Sequence, residues 1–284
     1  MGKETILLAK NWDEKRFVDG SFVSEKFDGV PVRINLNGAI SRQGEKIKSV
    51  DHLIPELRGI GLPKNTDLVG ELYIPNKDFA YIGGKVRAFD NCNDLYLMVY
   101  DVVTNDKPLW DYAQRIKPFL EYNPMDWNNS RIHSVYTTNL GVLNASGLPL
   151  DKQGVLSRIE EVRTQPKAEG IIVRSPNHLF EAGKRSWGLM RWKHADTVDL
   201  PIIDISEAFT KDGDPTGMVG SFEVLYNGYL CSVGAGKLKH AERKQIWENQ
   251  DEYLNKTIEI LHKPDKTYKG LREPTFQRFR PDKD

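Results

Sequence analysis

Residues 95–103, Leu-Tyr-Leu-Met-Val-Tyr-Asp-Val-Val, form a nearly unbroken apolar run. A run of this length reads as a strand buried on both faces. Such a strand needs sheet neighbours and covering layers, so the chain must build a layered domain around it. Other apolar runs resemble it, but each carries a charge. Phe22 to Ile34 reads as strand, turn, strand around Gly29, with Lys26 and Asp28 two apart and so on one face of an extended segment. A charged pair facing inward from apolar strands is costly unless it is paired or does chemistry. Asp67 to Ile74 is a strand interrupted by Glu71. Ala168 to Arg174 has Glu169 at its head, and Leu189 to Lys193 carries Arg191 and Lys193 on one face.

Between these runs the pattern changes. Asn37-Gly38 is a hairpin signal. Val50 to Leu57 and Tyr112 to Leu120 read as helices, the second limited by Pro118. Val155, Ile159 and Val162 recur at i, i+4 and i+7, which predicts an amphipathic helix over 153–164 stopped by Pro166. Lys10-Asn11-Trp12 reads as an edge packing on the strands after it. After about Thr197 short strand candidates succeed one another (202–205, 220–226, 229–234, 257–262), with a turn at Asn227-Gly228 and one helix at 240–249. Four or five short strands around one helix fit a small barrel of the OB type. No repeat or low-complexity linker separates the halves, so the boundary is a short hinge.

Composition excludes several classes. In 284 residues, 39% hydrophobic and 28% charged, there is apolar mass for a real core. The net charge is zero, so any nucleic-acid function must rest on local basic clusters. Cys92 and Cys231 supply neither a disulfide framework nor zinc spacing, and the six histidines lack ligand spacing. The apolar run Ile6 to Ala9 is too short for a signal segment, and nothing approaches a membrane span. The expectation is a soluble intracellular protein.

The strand-borne charges recur in a fixed order: Lys26 and Asp28, Arg42, Glu71, then Tyr100, Glu169, and Arg191 with Lys193. Together they read as one cleft presenting a nucleophile, carboxylates and phosphate-binding cations. These segments resemble the nucleotidyltransferase motifs of the ATP-dependent DNA ligases. Lys26-Phe27-Asp28-Gly29 is similar to motif I, and Ser41-Arg42-Gln43-Gly44 to the short motif after it. Val69-Gly70-Glu71-Leu72 is similar to motif III, Val99-Tyr100-Asp101-Val102 to IIIa, Glu169 to Arg174 to IV, and Arg191-Trp192-Lys193 to V. Gly183-Lys184-Arg185-Ser186 matches the lead-in to motif V, and Arg272 to Lys283 resembles motif VI. The likeness covers essentially the whole chain, in order.

The resemblance implies an α+β protein. An adenylyltransferase domain of antiparallel sheets flanked by helices, the ATP-grasp-like nucleotidyltransferase fold, would occupy 1–197, and a C-terminal OB-fold barrel 198–284. It also implies a monomer that uses ATP and Mg²⁺, with Mn²⁺ able to substitute, and acts on nicked duplex DNA. Lys26 would attack the α-phosphate of ATP and become a lysyl-AMP. The AMP would pass to the 5′-phosphate at a nick, and the 3′-hydroxyl would displace it. A lysine of pKa about 10.4 is almost wholly protonated near neutrality, and holding it neutral is worth roughly 4 kcal/mol. Desolvation, the metal, Arg191 and Lys193 would push its pKa down. Asp28, Glu71 and Glu169 are hard oxygen ligands for Mg²⁺, and the resemblance offers Glu71 a second role on the ribose. Tyr100 would stack on adenine and Arg42 hold a sugar or phosphate edge, while Arg191 and Lys193 grip the α-phosphate. Arg280, Asp282 and Lys283 would swing over ATP and orient pyrophosphate, which requires the barrel to close and reopen.

Three positions depart from the pattern. Pro31 stands where motif I carries arginine, and Arg33 on the same strand face is the candidate substitute. Arg191 replaces the first motif V lysine, keeping the charge and adding a fork suited to phosphate. Ser24 occupies the adenine-reading position two before the nucleophile, where an acid is absent. Val233 to Leu238 lacks the spacing and hydroxyl of a phosphate loop and reads as a strand turn. DNA would be held mainly through phosphates, with Lys237, Lys239, Arg243 and Lys244 on the barrel and Lys184 and Arg185 near the hinge as candidates. Lys26 lies too near the start for a preceding DNA-binding domain, and 210–219 leaves room only for a short loop. Three rivals stand beside this reading. An NAD⁺-dependent ligase needs a module before the lysine. An RNA ligase or GTP-using capping enzyme shares motifs I to V, but the Arg272 to Lys283 ending points to DNA ligase. A non-catalytic end-binding module would be expected to have lost Lys26 or its acids.

Overall fold

The apolar run at 95–103 is the strand Tyr96–Thr104, and two sheets rather than one are built around it. The computed structural model describes residues 5–63, 65–104, 106, 109–121, 129–138, 140–143, 149–165, 167–263 and 269–283. The chain divides into two units, Met1–Lys193 and His194–Asp284. The break expected after residue 197 comes earlier, because Asp196–Pro201 is already a strand of the second unit.

In chain order the strands of the first unit are β1 (Leu8–Asn11), β2 (Ser21–Glu25), β3 (Val30–Asn35), β4 (Gly38–Ser41), β5 (Lys46–Ile47), β6 (Thr66–Tyr73) and β7 (Tyr96–Thr104). Then come β8 (Ile132–Ser134), β9 (Pro149–Leu150), β10 (Gly170–Arg174) and β11 (Arg185–Lys193). One sheet has the order β1-β11-β10-β2-β9 and the other β5-β4-β3-β6-β7-β8. Most pairings are antiparallel; β1 with β11 and β7 with β8 are parallel. Lys10 and Asn11 do form an edge, on β1.

The expected hairpin around Gly29 is absent. β2 pairs with β10 and β9, whereas β3 pairs with β4 and β6. Residues 26–29 are a linker from one sheet to the other, not a turn within one, and Lys26 and Asp28 do not share a strand face. The apolar flanks misled because both ends are genuine strands and their partners lie far away in sequence.

Four helices cover the sheets: α1 (Ile54–Gly59), α2 (Phe79–Val86), α3 (Tyr112–Leu120) and α4 (Lys152–Thr164). In α4 the side chain of Asp151 accepts from the Gly154 amide at 2.8 Å, satisfying one of the first-turn donors. Val155, Ile159 and Val162 bury against Val23, Ile171 and Val173 of the first sheet, as their spacing predicts. The expected stop at Pro166 lies outside the described residues. Helix α3 begins with a reciprocal Asp111–Gln114 cap and holds Pro118 in its last turn. The segment at 50–57 is a short 3₁₀ turn leading into α1. Helix α2 escaped sequence reasoning because Gly83-Gly84 lowers its propensity, although Ile82 and Val86 are buried.

In the second unit, β12 (Asp196–Pro201), β13 (Asp204–Phe209), β14 (Pro215–Tyr226), β15 (Tyr229–Gly234), β16 (Thr257–Lys263) and β17 (Arg272–Phe279) form one sheet of order β12-β16-β17-β15-β14-β13. Helix α5 (His240–Glu248) lies between β15 and β16. Asn227 and Gly228 both take positive φ, 51° and 81°, the conformation a two-residue hairpin wants. Thr210 to Asp214 joins β13 to β14. Phe276 and Phe279 pack into the core beside Phe222, so the C-terminal segment is a packed strand. The Val233 to Leu238 segment leaves β15 through a turn at Gly236, where an added Cβ would collide with the Phe276 carbonyl oxygen.

Candidate active site

The linker carrying Lys26 is pinned to both sheets of the first unit. The Lys26 amide donates to Gly170 O at 2.9 Å, extending the pairing of β2 with β10. Phe27 is buried in the other sheet's core, edge-on to Tyr73 at 5.1 Å. Gly29 lies so close to β6 that an added Cβ would collide with Leu72 O and sit 2.8 Å from Glu71 Cγ. The glycine is therefore needed for close approach, and that approach brings the lysine to Glu71.

Three carboxylates converge there. Lys26 Nζ donates to Glu169 Oε2 at 2.6 Å. Lys193 Nζ lies 3.5 Å from Glu169 Oε1, so one acid holds two cations from two strand ends. Gly170 next to it has no room for a side chain, since a Cβ would collide with Trp192 O; this tight packing of β10 on β11 sets Glu169 beside Lys193. Burial pushes the Glu71 carboxyl up to about 8; the charge of Lys26 opposes the rise, and Glu169 and Asp28 add to it. Asp28 thus belongs to the cluster although it is not on a strand. Among the described residues no three acids, histidines or cysteines stand in metal-ligating geometry.

Beside the acids is an aromatic wall. Tyr100 on β7 is half-buried, and burial, with Glu71 close by, raises its hydroxyl far above the ordinary tyrosine range. It is thus a neutral ring at any working pH. The Arg174 guanidinium of β10 lies 4.6 Å from the Tyr100 ring centre, a cation–π contact bridging the two sheets. Tyr112 donates to Tyr100 O at 2.8 Å and shares a 2.5 Å hydrogen bond with Tyr136. Behind it Arg115 and Asp101, both buried, form a two-pronged pair at 3.1 Å. Arg42 is near enough to act on the Tyr100 hydroxyl.

Sequence reasoning thus named Lys26, Asp28, Glu71, Tyr100, Glu169, Lys193 and Arg42, and the fold assembles them. Ser24 is buried on β2 opposite Ile172. Arg191 reaches Asn11 Oδ1 at 3.3 Å. Arg33, the candidate motif I substitute, donates to Asp67 at 2.6 Å and also to Thr5 O. It is engaged by an acid of its own sheet, which the strand-face argument could not foresee. Arg280 pairs with Asp199 at 2.9 Å and Asp282 at 2.8 Å, and Lys283 with Asp199 at 2.5 Å, all within the second unit. Of the basic candidates, Lys237, Lys239 and Lys244 are exposed. Lys184 pairs with Glu181 at 2.6 Å and Arg185 donates to Ala9 O at 2.7 Å. Arg243 donates to Val219 O at 2.6 Å, fastening α5 to β14.

Two residues were missed. Arg174 shows itself in sequence only as the end of an apolar strand. Glu25, beside the lysine, accepts from the Leu143 amide at 2.8 Å, and burial raises its carboxyl above the usual range. A Cβ on Gly141 would collide with its carboxylate oxygen. A distant loop is thereby tied to the residue before Lys26, and no local pattern signals that.

No protein-family model matches the chain. It is similar to a DNA ligase of Haemophilus influenzae, 24% identical over 225 residues, which are 78% of this chain and 72% of that protein. A DNA ligase of Pyrobaculum islandicum is 23% identical over 261 residues, 82% of this chain but only 43% of that longer protein. Among solved structures, a Lig E DNA ligase studied for DNA binding with a minimal scaffold superposes with a TM-score of 0.70 at 18% identity, covering 97% of this chain and 98% of its own. The ATP-dependent DNA ligase of bacteriophage T7, in complex with ATP, gives a TM-score of 0.52 at 18% identity, with 97% and 98% covered. The relatives by sequence and the neighbours by fold are DNA ligases, the likeness to which the ordered motifs pointed. No helix among the described residues is long and apolar enough to cross a membrane.

Proposed function

We propose that the chain is an ATP-dependent DNA ligase that seals nicks through a lysyl-AMP and a DNA-adenylate. The observation that carries this is Lys26 on its two-sheet linker, 2.6 Å from Glu169 and crowded by Glu71 and Asp28. A lysine held in this way has little structural purpose. Its amine is presented, with its proton directed at a carboxylate, where an α-phosphate can be attacked in line.

In the first step Lys26 Nζ loses a proton, forms a bond to the α-phosphorus and releases pyrophosphate. Glu169 holds the amine in position, while Lys193 and Arg191 carry the charge of the phosphate oxygens. Tyr100 stacks on the adenine. The nick's 5′-phosphate then takes AMP from the lysine, and its 3′-hydroxyl attacks that phosphate and expels AMP. Asp28, Glu71 and Glu169 would offer the oxygen donors for a divalent cation such as Mg²⁺. Their crowding is what a cation relieves, and one or two carboxylates with phosphate oxygens and water suffice. When bound, the ion supplies charge neutralisation at the phosphate. Arg280, Asp282 and Lys283 act on the leaving pyrophosphate. Residues 1–193 do the adenylation and 194–284 serve as the OB module.

Incubation with α-labelled ATP and Mg²⁺, followed by denaturing electrophoresis, tests the proposal. Covalent label is expected, absent in Lys26→Ala and discharged by nicked DNA. Label from GTP but not ATP would overturn it in favour of a capping-type enzyme.

A further inference from the structure

Outside the site, β11 leads away from Lys193 along the sheet edge. Residues 184–193, Lys-Arg-Ser-Trp-Gly-Leu-Met-Arg-Trp-Lys, hold four cations and no acid in a chain whose 40 basic and 40 acidic residues balance overall. Trp187 on this strand is 37% exposed. Lys10 Nζ, from the neighbouring β1, lies 4.2 Å from its ring centre, and the Arg16 guanidinium 5.4 Å. Arg185, two residues before Trp187, donates to the carbonyl oxygen of Ala9, the residue before Lys10. Among the described residues Lys10, Arg16 and Arg185 form no ion pair. The nearby acids are engaged elsewhere: Glu14 holds Lys152 at 2.9 Å, Glu181 holds Lys184, and Asp13 caps its own turn through the Lys15 amide.

We propose that Lys10 and Arg16, gathered at Trp187, together with Arg185 two residues away on the same strand, are a docking surface for the sugar–phosphate backbone of duplex DNA flanking the nick. Three cations without ion-pair partners on one surface favour a polyanion, since each phosphate they neutralise releases counterions. The indole ring keeps two long, flexible side chains in one place, lowering the entropy lost when they engage phosphate. Nothing in the cluster reads bases, which suits an enzyme indifferent to sequence. Six strand positions separate Trp187 from Lys193. That is at most about 20 Å at ~3.3 Å per residue, about six base pairs of duplex. This inference rests on the ligase function proposed above.

The test compares the full chain with a Lys10→Ala/Arg16→Ala double variant and with Trp187→Ala. Binding to a fluorescent nicked duplex is measured across a salt series, alongside labelling by ATP without DNA. Labelling should be unchanged in both variants, which also certifies their folding. Affinity of the double variant should fall about tenfold at moderate salt, and its slope of log K against log salt should shrink by about two, near 0.9 per lost phosphate contact. Trp187→Ala should lose affinity severalfold, and Trp187→Phe should restore most of it. Wild-type affinity and slope in the double variant would overturn the surface. Failure of the wild-type chain to take label from ATP would instead overturn the function, leaving the surface to be judged by the salt slope alone.

Discussion

Two charge clusters in this molecule are built from the same residue types and behave oppositely. Around Lys26, burial takes the acids out of water, and with the neighbouring carboxylates adding to it the Glu71 carboxyl rises to about 8. Around Arg280, acids stand against cations at the surface. Asp199, Glu259 and Asp282 all pair with it, and its guanidinium draws Asp282 down to about 2. In the second cluster every acid faces a cation, although Asp199 Oδ1 is buried without a hydrogen-bond partner. In the first, three carboxyl groups share the two cations Lys26 and Lys193, and that is the place where a further positive charge would be accommodated. Counting ion pairs would have ranked the two the other way round.

The comparison can be broken in four places. Gly29→Ala forces a Cβ into Leu72 O and should cost about 3 kcal/mol or more of stability by overpacking. Adenylation should drop by at least about 100-fold if Lys26 shifts by an ångström; thermal melts and single-turnover labelling read both. Glu169→Gln leaves Lys26 and Lys193 without their shared anion. We expect about a 100-fold loss of labelling with a stability loss of only about 1 kcal/mol, since both cations reach solvent. Glu71→Gln sharpens the contrast through pH. A carboxyl whose folded pKa lies above its unfolded one gives stability that is whole below pH 4.5 and is lost as pH climbs through about 8. Melting of the wild type from pH 5 to 9 should therefore decline relative to Glu71→Gln, by the order of 3 kcal/mol at the alkaline end; parallel curves would contradict the crowding. Asp282→Asn is the smallest. Its carboxyl is exposed and its folded pKa depressed, so its contribution is present above pH 3.8 and lost as pH falls through about 2. At neutral pH Tm should change by no more than about 2 °C.

Much of the site was legible because its signals are local. A charge inside an apolar run shows at once, and Glu71, Glu169 and Lys193 were found in that way, whereas Tyr100 was singled out by its likeness to motif IIIa. Helix α4 was equally plain from three residues at helical spacing. What stayed hidden depends on which strands pair. Gly29 looks like a hairpin turn, but its real task is to let a linker graze β6. Arg33 looked available until Asp67, 34 positions away, proved to hold it. Arg174 and Glu25 gain meaning only from partners on the facing sheet or a remote loop, and no pattern of neighbours encodes those.

The grazing contact at Gly29 has a consequence for inactivation. Residues 26–29 act as a rivet through two plates: one end is stitched to Gly170 and the other is plugged by Phe27. Sliding of either plate moves the amine away from its acids, so no partly loosened form retains reactivity. Heat should therefore silence adenylation and melt the first unit at one and the same temperature.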